Sequence, residues 1–198
     1  MNKTVDLINH WAVFEKGHPD AEMLDFCRYM LVKEREYEED QGFLGGAIPP
    51  DLHSKFAKLI GRITKIHASL SLPVLKEHGI SGFEDFAFLN SVYKLEQPRK
   101  TDVINTNFIE LSSGLLIIDR LKKNGWVSEK SDEVDKRSKR LSILPEGKKV
   151  LELVYKRMAE LNQQCFGDIP DDDIMLCIQL IAPVEAALMT SWLKSRGK

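Results

Sequence analysis

The stretch that decides the fold runs from Ile118 to Gly147. It begins Ile118-Asp119-Arg120-Leu121-Lys122-Lys123-Asn124-Gly125-Trp126-Val127, passes through the polar run SDEVDKRS at 131–138, and ends Lys139-Arg140-Leu141-Ser142-Ile143-Leu144-Pro145-Glu146-Gly147. The first part has helical period, with Ile117, Ile118 and Leu121 on the side expected to face a core. Asn124-Gly125 stops that helix, because glycine takes the left-handed cap conformation at little cost. The period then changes. Trp126–Lys130 and Lys139–Leu144 read as short strands, and Arg140-Leu141-Ser142-Ile143 alternates as a half-exposed strand does. Pro145 has no N–H to donate, so it can only start the helix that follows.

Upstream, Thr101–Phe108 reads as a short helix with Thr101 as its cap. Ser112 or Ser113 caps the next helix, which runs to about Lys123. Helix, turn, helix, strand, charged loop, strand is the order of a winged helix-turn-helix. In that design a short helix braces a second one whose N-terminal end enters the DNA major groove. The hairpin lays cations on the flanking backbone or minor groove. Charge is focused in this block. Between Arg120 and Lys149 there are ten Lys or Arg and five Asp or Glu, a net +5, while the whole chain of 198 residues has 28 bases, 30 acids and a net charge of −2. That balance excludes a globally basic coat and leaves room for one basic face docking on phosphates.

These residues resemble the MarR family of dimeric bacterial transcription regulators. The family pattern is roughly I-D-R-L-x-x-x-G-h-V, with h apolar, followed by D-x-R-x-x-x-h-x-L-T-x-x-G. The match covers about 51–198 in architecture and is sharpest over about 118–147. The resemblance implies a mostly α, α+β fold: a winged helix-turn-helix with a two-stranded wing and a helical dimerisation domain. It implies dimerisation helices at about 51–78 and 147–196 and a DNA-binding lobe at about 83–146. Arg137 matches the wing arginine that reaches the minor groove, and Asp135 the aspartate that braces it. Ser112 and Ser113 fall where recognition-helix polar residues read the major groove. Asn107, Arg120, Lys136, Lys139 and Arg140 complete the expected DNA-binding set. The implied partners are a pseudo-palindromic duplex, a second copy of the chain, and a small ligand or oxidant that releases the DNA. Two departures stand out. Pro145 replaces the usual threonine, and Gly114, Leu115 and Leu116 lie where a more polar recognition helix is common. Gly114 allows close packing or close approach to DNA, and Leu115 or Leu116 suits either thymine methyls or a core.

The first fifty residues form an extension without a counterpart in that pattern. Helices are expected at 4–16 and about 21–38, the second capped by Asp20, with Met23, Phe26, Cys27, Met30 and Leu31 on one face. From Glu15 to Asp40 there are nine acids and four bases. QGFLGGAIPP at 41–50 reads as a linker. A long helix over 51–78 carries Phe56, Leu59, Ile60, Ile63 and Ile66 or His67 on one side, and Pro73 is expected to kink or interrupt it. Phe83–Leu95 and 171–194 read as further helices. The apolar stretch Ile174–Leu193 contains Gln179, Pro183 and Glu185, which favours a buried or interface helix over a bilayer span.

The remaining chemistry is sparse. Three cysteines, at 27, 165 and 177, make neither a disulfide framework nor a zinc site. Core packing is favoured over thiol sensing for Cys27. The five histidines show no metal-ligand spacing, and no catalytic motif is present, so no enzyme, metal or cofactor is expected. The start MNKTVDLINHW lacks an apolar leader core, and a soluble cytoplasmic protein is expected. The alternative is a winged-helix module that binds protein partners instead of DNA.

Overall fold

The computed structural model describes residues 2–34, 43–132 and 138–195. The chain divides into two compact units, Met1–Arg62 and Ile63–Lys198. In the first unit, α1 (Lys3–Gly17) is followed by α2 (Met23–Glu34) and a short 3-10 turn at Phe43–Gly46. The Asn2 side chain caps α1 by accepting the Thr4 N–H at 3.0 Å. The start of α2 is held by Asp25, whose carboxylate accepts the Glu22 N–H at 3.0 Å, and not by Asp20. Aromatic packing holds the two helices together. Phe14 and Phe26 are buried, Trp11 meets Phe26 edge-on at 5.1 Å, and Phe14 stacks on His18 at 4.5 Å. Val5, Ile8, Met23 and Leu31 are exposed, and Met30 is half-buried. Cys27 is also exposed, which corrects the core reading: it lies off the face that Phe26 buries.

Helix α3 (Leu52–Glu77) runs through Pro73 without interruption. Proline removes one N–H and so frees the carbonyl of Ser69. Both residues are exposed, so water can take that carbonyl. The predicted apolar side of α3 is only partly covered, with Ile63, Ile66 and Leu70 about half exposed.

The second unit continues with α4 (Phe83–Lys94), α5 (Lys100–Thr106), α6 (Leu111–Lys123), β1 (Val127–Ser131), β2 (Lys139–Ile143), α7 (Pro145–Phe166) and α8 (Asp171–Ser195). The strands pair antiparallel, with Val127 opposite Ile143 and Ser131 opposite Lys139. One core joins Phe88 and Leu89 of α4, Val103 and Ile104 of α5, Ile117, Ile118 and Leu121 of α6, Trp126, Leu141, and Val150 and Val154 of α7. Gly147 lets α7 start directly on the hairpin. A Cβ there would lie 2.4 Å from the Trp126 carbonyl oxygen. Pro145 is the first residue of α7, as its missing N–H requires.

Helix α8 is different. None of its residues is buried within the chain. By length and composition alone it is apolar enough to cross a bilayer.

Candidate nucleic-acid interface

Helices α5 and α6 and the β1–β2 hairpin form the expected winged helix-turn-helix. Helix α5 begins at Lys100, one residue before the expected cap Thr101. Asp102 closes its first turn by accepting the Arg99 N–H at 2.8 Å. Its C-terminal end is tied down by Asn107, whose side-chain amide donates to Val103 O at 2.7 Å and Ser91 Oγ at 2.9 Å. Phe108 then takes a positive φ of 56°, and the Ile109 N–H returns to Ile104 O at 3.3 Å. This is a left-handed cap of the kind glycine usually makes. The Phe108 ring meets Trp192 of α8 edge-on at 4.9 Å.

Helix α6 starts at Leu111 with Glu110 as its N-cap, so Ser112 and Ser113 are not caps but lie in the first turn. Both are exposed. Gly114 is explained by packing: a Cβ there would sit 2.5 Å from Ile104 Cγ1. Leu115 packs partly against the core, whereas Leu116 is exposed. Asn124 caps the helix end, and Gly125 takes a φ of 71°.

Many of the basic residues counted in the sequence have internal partners. Arg120 grips the buried Asp85 of α4 with two hydrogen bonds, Nε to Oδ2 at 2.7 Å and a second from Nη2 to Oδ1. The hydrogen bonds to Asp85 raise the guanidinium pKa further. Lys122 Nζ donates to Glu129 Oε2 at 2.6 Å, and Lys100 Nζ lies 2.9 Å from the same oxygen. Hydrogen bonds from Lys122 first and Lys100 second lower the pKa of Glu129, while that of Lys122 is raised by the same bond. Arg140 bridges the wing to the turn before α5. Its Nε donates to the buried Asp132 at 2.6 Å and its Nη1 to Gln97 O at 2.9 Å. The Leu141 N–H adds a bond to Pro98 O at 2.9 Å. Lys139 Nζ donates to Ser131 Oγ at 2.9 Å across the hairpin.

The structure therefore places Asn107, Arg120 and Arg140 in bonds that brace the lobe, and leaves Ser112, Ser113 and Lys139 on its surface. Asp135, Lys136 and Arg137 lie outside the described residues. Among the described residues, Lys123, Lys130, Lys148 and Lys149 are exposed and have no acidic partner. The bracing acids Asp85, Glu129 and Asp132 were not singled out by the sequence reading. Asp85 lies 35 residues from Arg120, and no spacing rule links them. All three cysteines are free thiols. Among the described residues no group of three or more His, Cys, Asp or Glu gathers as metal ligands.

The lobe is thus a winged helix-turn-helix whose first helix, second helix and wing are locked by ion pairs. No protein-family model matches the chain. It is similar to an uncharacterised HTH-type transcriptional regulator of Bacillus subtilis (strain 168), YsmB, with 24% identity over 119 residues, 60% of this chain and 81% of the relative. Among solved structures, a MarR protein from Peptoclostridium difficile superposes with a TM-score of 0.68 at 20% identity, covering 75% of this chain and 97% of that one. A mutant of Escherichia coli MarR, solved in complex with operator DNA, superposes with a TM-score of 0.61 at 20% identity, covering 68% of this chain and 98% of that one. The chain has the fold of the MarR winged-helix proteins.

Proposed function

We propose that this protein is a dimeric, sequence-specific DNA-binding transcriptional regulator of the MarR type, acting in the cytoplasm and not as an enzyme. The observation that carries the reading is the second helix of the motif. Helix α6 is fixed on one side by Ile117, Ile118 and Leu121 and held at its end by Arg120–Asp85, with Ser112 and Ser113 exposed at its N-terminal end. That is the end a recognition helix inserts into the major groove.

The wing carries Lys139 and, outside the described residues, Asp135, Lys136 and Arg137. We assign Arg137 to the flanking minor groove and Lys136 and Lys139 to the backbone beside it. Asn107, Arg120 and Arg140 act as positioning residues. We assign residues 1–50 to an N-terminal helical extension and linker, and residues 51–198 to the regulator domain. The uncovered apolar sides of α3 and α8 supply the dimer contact, and two lobes then reach successive major grooves of a pseudo-palindrome, about one helical turn apart. Release by a small ligand or oxidant follows the family resemblance. An apolar cavity of about 280 Å³, lined by Ile63, Ile66, His67, Leu70, Cys165 and Phe166, offers space for a small effector.

The test is binding of a duplex at two salt concentrations. Affinity should fall steeply as salt rises, since phosphate contacts release counterions. Arg137→Ala should weaken binding by about 1–3 kcal/mol in a folded dimer. Unchanged affinity in that variant removes Arg137 from the interface. Absence of any binding leaves the winged-helix module to protein partners.

A further inference from the structure

Residues 112, 116, 119 and 123 follow one another on one side of α6, and all four are exposed. Over the first three turns, this stripe and its border hold Leu111, Ser112, Ser113, Leu116 and Asp119. None of them is Arg, Lys, Asn or Gln, the side chains that make bidentate bonds to guanine or adenine edges. The nearest arginine, Arg120, has its guanidinium held by Asp85, with Nε 2.7 Å from Oδ2. Lys123 comes only in the last turn, away from the end that enters a groove. The one apolar residue on the stripe is Leu116, 67% exposed, and Leu111 at its border is 55% exposed. A scattered surface leucine needs no explanation. Here two leucines frame two hydroxyls, on the outer side of a helix whose inner side already buries Ile117, Ile118 and Leu121.

We propose that α6 reads its DNA chiefly through thymine C5-methyl groups, with Leu116 as the main specificity-determining residue. The methyl is the one apolar feature of the major-groove edge, and it marks thymine alone among the four bases. The ligand class is a duplex with thymine facing Leu116 in each half-site. Asp119, on the same stripe, keeps its side chain 59% exposed although Lys122 Nζ lies 3.8 Å away, and it repels the guanine O6 and N7 acceptors and accepts from amino groups, which turns the site further from guanine. The proposal rests on the DNA-binding reading.

The experiment uses the full chain and a duplex selected from a random pool, compared with the same duplex carrying deoxyuridine for thymidine in both half-sites. Uracil keeps every hydrogen-bonding group of thymine and lacks only the methyl. The uracil duplex should bind about three- to five-fold more weakly per contacted methyl, the worth of one buried carbon group. Leu116→Ala should melt as the parent does, because the side chain is exposed. It should lose affinity for the thymine duplex and no longer distinguish thymine from uracil. Equal binding of both duplexes by the parent chain, with the usual salt dependence, would overturn this proposal and leave the DNA reading standing. So would a Leu116→Ala variant that still discriminates. Failure to retain any duplex at low salt would overturn both.

Discussion

Helices α6 and α8 lie in the same unit and both are rich in leucine and isoleucine, yet they meet opposite fates. Helix α6 buries one side and exposes the other. Ile118 and Leu121 are almost fully covered, while Leu116 and Ser112 face outward. Helix α8 buries nothing, and Met175, Ile178, Leu180, Ile181 and Leu188 all stand open. The apolar residues of α6 match the core available to them. Those of α8 exceed what this chain can cover. A helix apolar on all sides belongs in a core or a membrane, and an exposed apolar face of this extent marks an interaction surface. The acids and glutamine within α8 favour a protein partner, and a second copy brings its own uncovered α8.

The largest expected effect tests that difference directly. Leu188, 63% exposed, contributes little to the folding of one chain. Leu188→Asp should therefore leave the fold of the lobe intact while weakening the dimer by about 3 kcal/mol or more, because it buries an unpaired carboxylate. Sedimentation equilibrium reads this as a shift to monomer. A variant that remains dimeric at the same dissociation constant takes α8 out of the interface.

The next effect lies on the inner side of α6. Gly114→Ala gains about 1 kcal/mol of helix propensity. It also drives a methyl into Ile104, which is 2% exposed and has nowhere to retreat. Overpacking costs about 1–3 kcal/mol, so the net result should be a loss, read as a lower urea midpoint with an unchanged slope. A stabilised variant would mean that α5 and α6 can separate freely, against the close packing of Gly114 on Ile104.

The fold was legible in the sequence where local rules decide. Asn124-Gly125 ended α6, Pro145 began α7, and the change of period between Trp126 and Ile143 marked the wing. Caps were less legible. Thr101, Ser112, Ser113 and Asp20 are all good caps by residue type, but Asp102 and Asp25 hold two of those helix starts, and Glu110 takes the N-cap position of α6 without a side-chain capping bond. A cap depends on where the chain turns, and tertiary packing sets that. The candidate site was legible as a basic block and illegible in its wiring. Arg120 and Arg140 counted toward the positive charge, yet each is committed to a buried carboxylate, Asp85 and Asp132. Those pairings come from folding distant segments together. The exposure of Cys27 was illegible because periodicity alone does not say which side of a two-helix hairpin faces inward.

The smallest effect concerns the ion triad at the end of α6. The pKa of Glu129 is lowered by Lys122 and Lys100. A carboxylate with a lowered folded-state pKa adds stability that is present above its unfolded pKa and lost as pH falls through the folded one. The lobe should thus lose about 0.5–1 kcal/mol from this group on acidification below the ordinary carboxylate range. Glu129→Gln should flatten that part of the melting profile. A variant with the parent's full acid dependence would assign the loss to other carboxylates.

We propose that the lobe built on α5, α6 and the wing is a DNA reader presented twice by a dimer. The most direct measurement is selection of bound fragments from a random duplex pool, read at two salt concentrations. One pseudo-palindromic site should be enriched, with half-sites about a helical turn apart and retention falling steeply with salt. A folded dimer that enriches no site at either salt concentration would contradict it.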